Sequence, residues 1–266
     1  MRAADFAYFD SRTPIGLAHR GGAKVTENLG LENSMAAFRL AVAMGYRYLE
    51  TDVHATADGR LLAFHDRRLD RVTDQRGRIA DLSWSTVQQA RISGREPVPL
   101  LSDLLEEFPD TRFNIDVKAA GAIEPLAAVV RSHRAQDRVC VGSFSDRRLR
   151  AVRRLLGPMV ATAAGPAEIG TLRFTPSRLA SWLRSPAPVL QVPAGQLLAG
   201  RRLDLASPAL VERAHALGKH VHVWTIDDAD EMNRLLDLGV DGIVSDRIDT
   251  LADVLAKRGV PLRPVA

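Results

Sequence analysis

Two histidines, His19 and His65, each close a short apolar run, Ile15-Gly16-Leu17-Ala18-His19 and Leu61-Leu62-Ala63-Phe64-His65, and each is followed by a charged residue, Arg20 or Asp66. Imidazoles titrate near neutral pH, so such a pair can take a proton from an attacking oxygen and return one to a leaving oxygen. Between them, Glu50 and Asp52 alternate along Tyr48-Leu49-Glu50-Thr51-Asp52-Val53. Residues two apart on a strand project to one face, so these carboxylates can converge on one cation. Asp116, in Phe113-Asn114-Ile115-Asp116-Val117-Lys118, supplies a third carboxylate from another strand, with Lys118 on its own face. Each acid alone reads equally well as the partner of an arginine. Taken together they suit a hard divalent cation with oxygen ligands, Mg²⁺ or Ca²⁺, and the lack of cysteine near them argues against zinc. Arg20 and Lys118 are placed to neutralise non-bridging phosphate oxygens, the arginine with a bidentate fork.

Such side chains need strands that release them at one end, which is how a parallel α/β barrel builds an active site. Strands are expected at about 15–19, 46–53, 61–65, 112–118, 139–144, 159–164, 188–192, 220–225 and 241–245, separated by amphipathic stretches in the manner of repeated βα units. The run from Glu32 through Met35, Phe38 and Leu40 to Met44 has apolar positions at helical spacing and stops at Gly45; Leu210–Leu217 before Gly218 and Met232–Leu238 before Gly239 repeat that grammar. Residues 67–98 break the rhythm. They exceed an ordinary βα connection and hold one weak helical patch near Ser85–Ala90, which predicts a small insertion over the active site.

A length of 266 residues matches one (β/α)₈ barrel, so a single domain over residues 1–266 is expected. Hydrophobic content of 46% and charged content of 26% exclude a disordered or fibrous chain. There is no apolar run long enough to span a bilayer and no signal-peptide pattern at Met1–Phe6, which predicts a cytoplasmic protein without stable membrane insertion. Cys140 is the only cysteine, so an intramolecular disulfide is excluded. The net charge is +4, but the basic residues are scattered along the sequence, which argues against a nucleic-acid partner. Oligomeric state is left open.

The ordered set His19-Arg20-Gly21-Gly22, Glu32-Asn33-Ser34, Glu50-Thr51-Asp52-Val53, Asp58-Gly59, His65-Asp66, Arg71-Val72-Thr73, Gly77, Pro99-Leu100-Leu101, Asp116-Val117-Lys118, Val223-Trp224-Thr225-Ile226-Asp227 and Asp241–Asp246 resembles the glycerophosphodiester phosphodiesterase family over about residues 15–250. The resemblance implies an α/β (β/α)₈ TIM barrel with a small insertion after the second histidine, in agreement with the anomaly at 67–98. It implies a divalent cation at Glu50, Asp52 and Asp116, acid–base roles for His19 and His65, and phosphate or substrate contacts from Arg20, Asn33 and Lys118. Trp224 would stand at the barrel mouth, against the glycerol or the alcohol group.

Two departures stand out. Asp116 replaces the family's usual glutamate, which leaves the choice of metal open, and Leu31-Glu32-Asn33-Ser34 replaces the family's Pro-Glu-Asn-Thr behind a longer loop at 23–30. The implied activity is metal-dependent hydrolysis of a small-molecule glycerophosphodiester to glycerol 3-phosphate and an alcohol, with water or the neighbouring glycerol hydroxyl as nucleophile. A lysophospholipase D or sphingomyelinase D-like activity is the alternative, and a non-catalytic phosphate-binding barrel the third. The lipid reading needs an exposed apolar groove, which the insertion sequence does not offer.

Overall fold

The structure is a computed structural model that describes residues 1–11, 14–175, 185–198 and 201–262. Its strands are β1 (Ile15–His19), β2 (Tyr48–Ala55), β3 (Leu61–Ala63), β4 (Arg91–Ile92), β5 (Glu96–Pro97), β6 (Arg112–Val117), β7 (Val139–Gly142), β8 (Ala161–Thr162), β9 (Val189–Pro193), β10 (Gly195–Leu198), β11 (Arg201–Asp204), β12 (His220–Trp224) and β13 (Gly242–Ser245). Eight of them form a parallel sheet in the order β8-β7-β6-β2-β1-β13-β12-β9. A parallel bridge between Ala163 and Val189 joins its two edges and closes the barrel. Helices alternate with these strands on the outside. The main core lies between strands and helices, where Phe38, Leu49, Phe113, Leu126, Val223 and Leu251 are fully buried. No helix among the described residues is long and apolar enough to cross a membrane.

The strand ends are set by local chemistry. Ser34 caps the helix Met35–Ala43 by accepting a hydrogen bond from the Ala37 N–H at 3.2 Å, and Gly45 ends the unit with φ of 93°. The helices Pro208–Ala216 and Ala229–Asp237 follow the same pattern before Gly218 and Gly239. Gly21, directly after His19-Arg20, has φ of +84°, and a Cβ there would lie 2.8 Å from the Ala37 backbone carbon. Backbone cannot yield as a side-chain tip can. Gly21→Ala therefore combines a left-handed penalty with a clash and is expected to cost about 2–4 kcal/mol, seen as a lower denaturation midpoint at unchanged slope.

One expected strand is corrected. The run at 61–65 is not a barrel strand: β3 spans Leu61–Ala63 and pairs antiparallel with β2, Val53 opposite Ala63 and Ala55 opposite Leu61. Only Thr56–Arg60 separate the two strands, a turn closed by Thr56 N–H to the Arg60 carbonyl at 2.9 Å and by Gly59 at φ of 78°. A parallel partner needs a crossover of roughly a dozen residues or more, which this link cannot supply. His65 is thus delivered to the mouth by a hairpin that folds back from β2.

The insertion then continues from this hairpin with a 3₁₀ turn at Ile79–Asp81, the helix Trp84–Val87 and the β4–β5 hairpin. It has its own apolar cluster, in which Leu69, Ile79, Val87 and Ile92 join Leu62, Phe64 and Ala37. At the opposite end of the barrel, Ala3–Phe9 fold into two 3₁₀ turns that plug the bottom. Tyr8 packs edge-on to Phe9 and Tyr48, while Phe9 packs on His220 and His222. His222 is fully buried with neither ring nitrogen bonded, and burial together with His220 pushes its pKa down to about 3, so it stays neutral.

Candidate active site

The register of three adjacent strands brings the expected acids and His19 to one corner of the mouth. His19 on β1 lies opposite Glu50 on β2, and Asp52 on β2 lies opposite Asp116 on β6. Asp52 is almost fully buried between two cations and an amide: it forms ion pairs with Lys118 Nζ at 2.8 Å and Arg20 Nε at 3.0 Å, and accepts from Asn33 Nδ2 at 3.3 Å. Burial alone would raise its pKa, but Lys118 and Arg20 outweigh that and hold the carboxylate below its ordinary range. Among the described residues, the Glu50 side chain receives just the Arg20 backbone N–H at 3.3 Å, with His19 Nε2 at 3.7 Å. Burial, reinforced by the neighbouring Asp52 charge, pushes Glu50 up to about 7.

Lys118 also reaches Asp116 Oδ2 at 2.7 Å, so its ammonium bridges Asp52 and Asp116, while Asp116 Oδ1 is buried without a partner. Among the described residues, no group of three His, Cys, Asp or Glu side chains is arranged to hold a metal ion. Lys118 supplies the positive charge at that corner.

Each expected acid–base histidine has its Nδ1 on a carboxylate. His19 Nδ1 lies 2.7 Å from Asp246 Oδ1, and His65 Nδ1 lies 2.6 Å from Asp66 Oδ1. An ionised carboxylate only accepts, so the neutral rings carry their proton on Nδ1 and leave Nε2 free. Burial works against a charged imidazole at His19, yet Glu50 and Asp246 outweigh it and hold its pKa above the ordinary value. Asp246 is itself positioned: Asp227 Oδ1 accepts its backbone N–H at 2.9 Å, and Lys24 Nζ lies 2.6 Å from Asp227 Oδ2 and 3.7 Å from Asp246 Oδ2. Lys24 belongs to the longer loop at 23–30.

Arg20 and Asn33 adopt left-handed backbone conformations, φ of 50° and 58°, a cost that non-glycine residues bear where surrounding contacts over-determine the position. Here Asn33 N–H donates to the Arg20 carbonyl at 2.9 Å and Thr51 donates to Asn33 Oδ1 at 2.8 Å. Trp224, at the end of β12, stands edge-on to Phe144, ring centroids 5.5 Å apart, and Lys118 Nζ lies 5.9 Å from the Phe144 ring. Phe144 is 64% exposed, an aromatic lip beside the charged corner.

Of the nine residues expected at the site, ion pairs, hydrogen bonds and strand register bring His19, Arg20, Asn33, Glu50, Asp52, Asp116 and Lys118 together, His65 connects to them through Asp66, Arg71 and Glu32, and Trp224 borders them through Phe144. The sequence reading missed Asp246 and Asp66 as histidine partners, Arg71 and Glu32 as a charged link between loops, and Phe144. The signal available for the acids was position, because Asp66 directly follows His65 and Asp246 directly follows β13, the strand beside β1.

Comparison with known proteins places this barrel and mouth among the phosphoric diester hydrolases. The sequence profile of the Glycerophosphoryl diester phosphodiesterase family matches residues 19–250, and the chain belongs to that family. It is 43% identical over 249 residues to the probable glycerophosphodiester phosphodiesterase 2 of Mycobacterium tuberculosis, covering 92% of each chain. It is 27% identical to human lysophospholipase D GDPD1, covering 90% of this chain and 85% of that one. The fold is similar to a putative glycerophosphoryl diester phosphodiesterase of Silicibacter pomeroyi (TM-score 0.78, 22% identity, covering 97% of this chain and 100% of that one). It is also similar to an Oleispira antarctica phosphodiesterase solved with the product sn-glycerol-3-phosphate (TM-score 0.74, 22% identity, covering 92% and 97%).

Proposed function

We propose that this chain hydrolyses glycerophosphodiesters to glycerol 3-phosphate and an alcohol, with His19 and His65 as the acid–base pair. The observation that carries this reading is the mouth itself, two imidazoles with Nδ1 committed to carboxylates, set around the Arg20 and Lys118 cations. Arg20 and Lys118 bind and orient the phosphodiester oxygens. The free Nε2 atoms exchange protons with the attacking and leaving oxygens. Trp224 and Phe144 border the substrate on the apolar side.

A divalent cation, Mg²⁺ or Ca²⁺, belongs to the same reading: the oxygens of Glu50, Asp52 and Asp116 are of the kind a hard cation takes, while their present arrangement, with Lys118 between Asp52 and Asp116, is not a ready three-ligand site. Glu50 and Asp52 are a buried oxygen pair in which burial and the Asp52 charge push Glu50 up to about 7, and Asp116 Oδ1 is buried and unpartnered. Bound there, a cation supplies Lewis-acid polarisation of the phosphoryl group. Lys118 reaches Asp52 Oδ1 and Asp116 Oδ2 and neutralises both carboxylates, so a bound cation would have to share them with its ammonium. The shorter Asp116 keeps its carboxylate within the reach of that ammonium.

Glu50 gives this proposal a pH signature. A carboxyl whose folded pKa lies above its unfolded value contributes stability that is fully present below the ordinary value of 4.5 and is lost as pH rises through about 7. A cation binds the ionised form and competes with that proton. Mg²⁺ or Ca²⁺ is therefore expected to raise Tm more at about pH 8 than at about pH 5.5, measured by thermal unfolding, and an equal shift at both would remove Glu50 from the ligand set.

The lysophospholipase D reading has the exposed Phe144 lip and the human relative's name in its favour. Against it, the insertion spends its large apolar side chains on its own cluster; the large hydrophobic residues exposed among those described are Met1, Leu29, Phe144, Met159 and Phe174, none of them in 67–98. The deciding experiment measures glycerol 3-phosphate release from soluble glycerophosphodiesters, beside lysolipid micelles, with Mg²⁺, with Ca²⁺ and after EDTA. Cation-dependent release from the soluble diesters is expected; turnover of lysolipids alone would move the assignment to the second reading, and none from folded protein would overturn both.

A further inference from the structure

The insertion sends one side chain to the charged rim, and that side chain ties together two groups of opposite function. Arg71 donates from Nε to Asp66 Oδ2 at 2.6 Å and from Nη2 to Asp66 Oδ1 at 3.1 Å. The same guanidinium donates from Nη1 to Glu32 Oε2 at 2.9 Å and from Nη2 to Glu32 Oε1 at 2.6 Å. Both carboxylates are engaged through both oxygens, so the guanidinium plane fixes their positions as well as their charge. Each carboxylate then passes on to a residue of the mouth: Asp66 holds His65 Nδ1 at 2.6 Å, and Glu32 accepts from Arg20 Nη1 at 3.2 Å.

We infer that Arg71 is a positioning residue that sets the tautomer of His65 through Asp66 and the aim of Arg20 through Glu32. It thereby links proton transfer and phosphate binding to the seating of the insertion. The kinetic part of this inference rests on the phosphodiesterase reading. Without Arg71 the two carboxylates, one from the loop before the helix Met35–Ala43 and one from the hairpin, face each other with no cation between them. They repel, Asp66 leaves the His65 ring, and His65 relaxes toward the Nε2-protonated form that imidazoles favour in water. A lysine keeps one charge but cannot fork onto two carboxylates at once.

The test uses the full chain carrying Arg71→Ala, Arg71→Lys, Asp66→Asn or Glu32→Gln, each shown to unfold at a temperature close to that of the parent. Arg71 is half exposed, so its loss leaves the core intact. Steady-state kinetics on a soluble glycerophosphodiester should show kcat falling by about 10- to 100-fold in Arg71→Ala together with a raised KM. Asp66→Asn should reproduce the kcat part, Glu32→Gln the KM part, and Arg71→Lys should restore neither fully. Long-range ¹H–¹⁵N spectra of the histidine rings, with His65 assigned by His65→Gln, should show the Nδ1 proton in the parent and its loss in Arg71→Ala. An unchanged His65 tautomer in Arg71→Ala, or kcat and KM both within about twofold of the parent, would overturn the inference. If the parent hydrolyses no diester, the phosphodiesterase reading fails, and the ring spectra still decide the role of Arg71.

Discussion

Replacing His19 with alanine is expected to lower kcat by about 10²- to 10⁴-fold and to leave KM for the diester nearly unchanged. The asymmetry follows from the division of labour at the mouth. In the proposed reading Arg20 and Lys118 carry the charge that binds the phosphate, and both make their contacts with Asp52 without help from the imidazole. In that reading His19 contributes Nε2, kept free because Asp246 occupies Nδ1, and its loss would remove a proton acceptor or donor in the transition state alone. Asp246→Asn should fall in the same direction by a smaller factor, because an amide can present its nitrogen to Nδ1 and favour the wrong tautomer. A His19→Ala enzyme that retains kcat within tenfold would take His19 out of the chemistry.

Withdrawing the proposed cation is expected to have an effect of the same order. Lewis-acid stabilisation of a phosphoryl transition state is worth several kcal/mol, on the order of 10³-fold in rate, so chelation should nearly extinguish turnover and added Mg²⁺ or Ca²⁺ should restore it. Glu50→Gln separates the ligand role from a structural one. In the metal-free protein above pH 7 the neutral amide removes a buried charge that Asp52 repels, so this variant should be at least as stable as the parent. It should also lose cation-dependent stabilisation and activity together. A chelated enzyme that turns over at the parent rate would exclude the cation; a Glu50→Gln protein that keeps its metal response would exclude Glu50.

Much of this corner was legible because it is local. The alternation of Glu50 and Asp52 needs only a strand, and β1 begins and ends where its apolar run does, at Ile15 and His19. Strand direction is not written in periodicity. Leu61–Ala63 has the composition of a barrel strand, and only the short Thr56–Arg60 link tells that it must turn back. The histidine partners were hidden for another reason: Asp246 is 227 residues from His19 in sequence and reaches it because closure sets β13 beside β1. Arg71 and Glu32, 39 residues apart, meet only because the insertion buries its own apolar cluster against the loop before the helix Met35–Ala43. Gly195–Leu198 and Arg201–Asp204 pair antiparallel as β10 and β11, where no strands were expected, since these short runs carry no clear alternation.

The plug at the bottom of the barrel bears on how the chain is made. Ala3 N–H bonds to the Gly218 carbonyl, and Lys219 Nζ reaches the Met1 carbonyl across a sequence separation of 218. Tyr8 and Phe9, which end up against Tyr48, His220 and His222, are synthesised long before the strand that completes their surroundings. Contacts of such long range are slow to form, and the aromatic side chains stay open to other partners until they do. The floor of the barrel can close only once the chain has been made through His222.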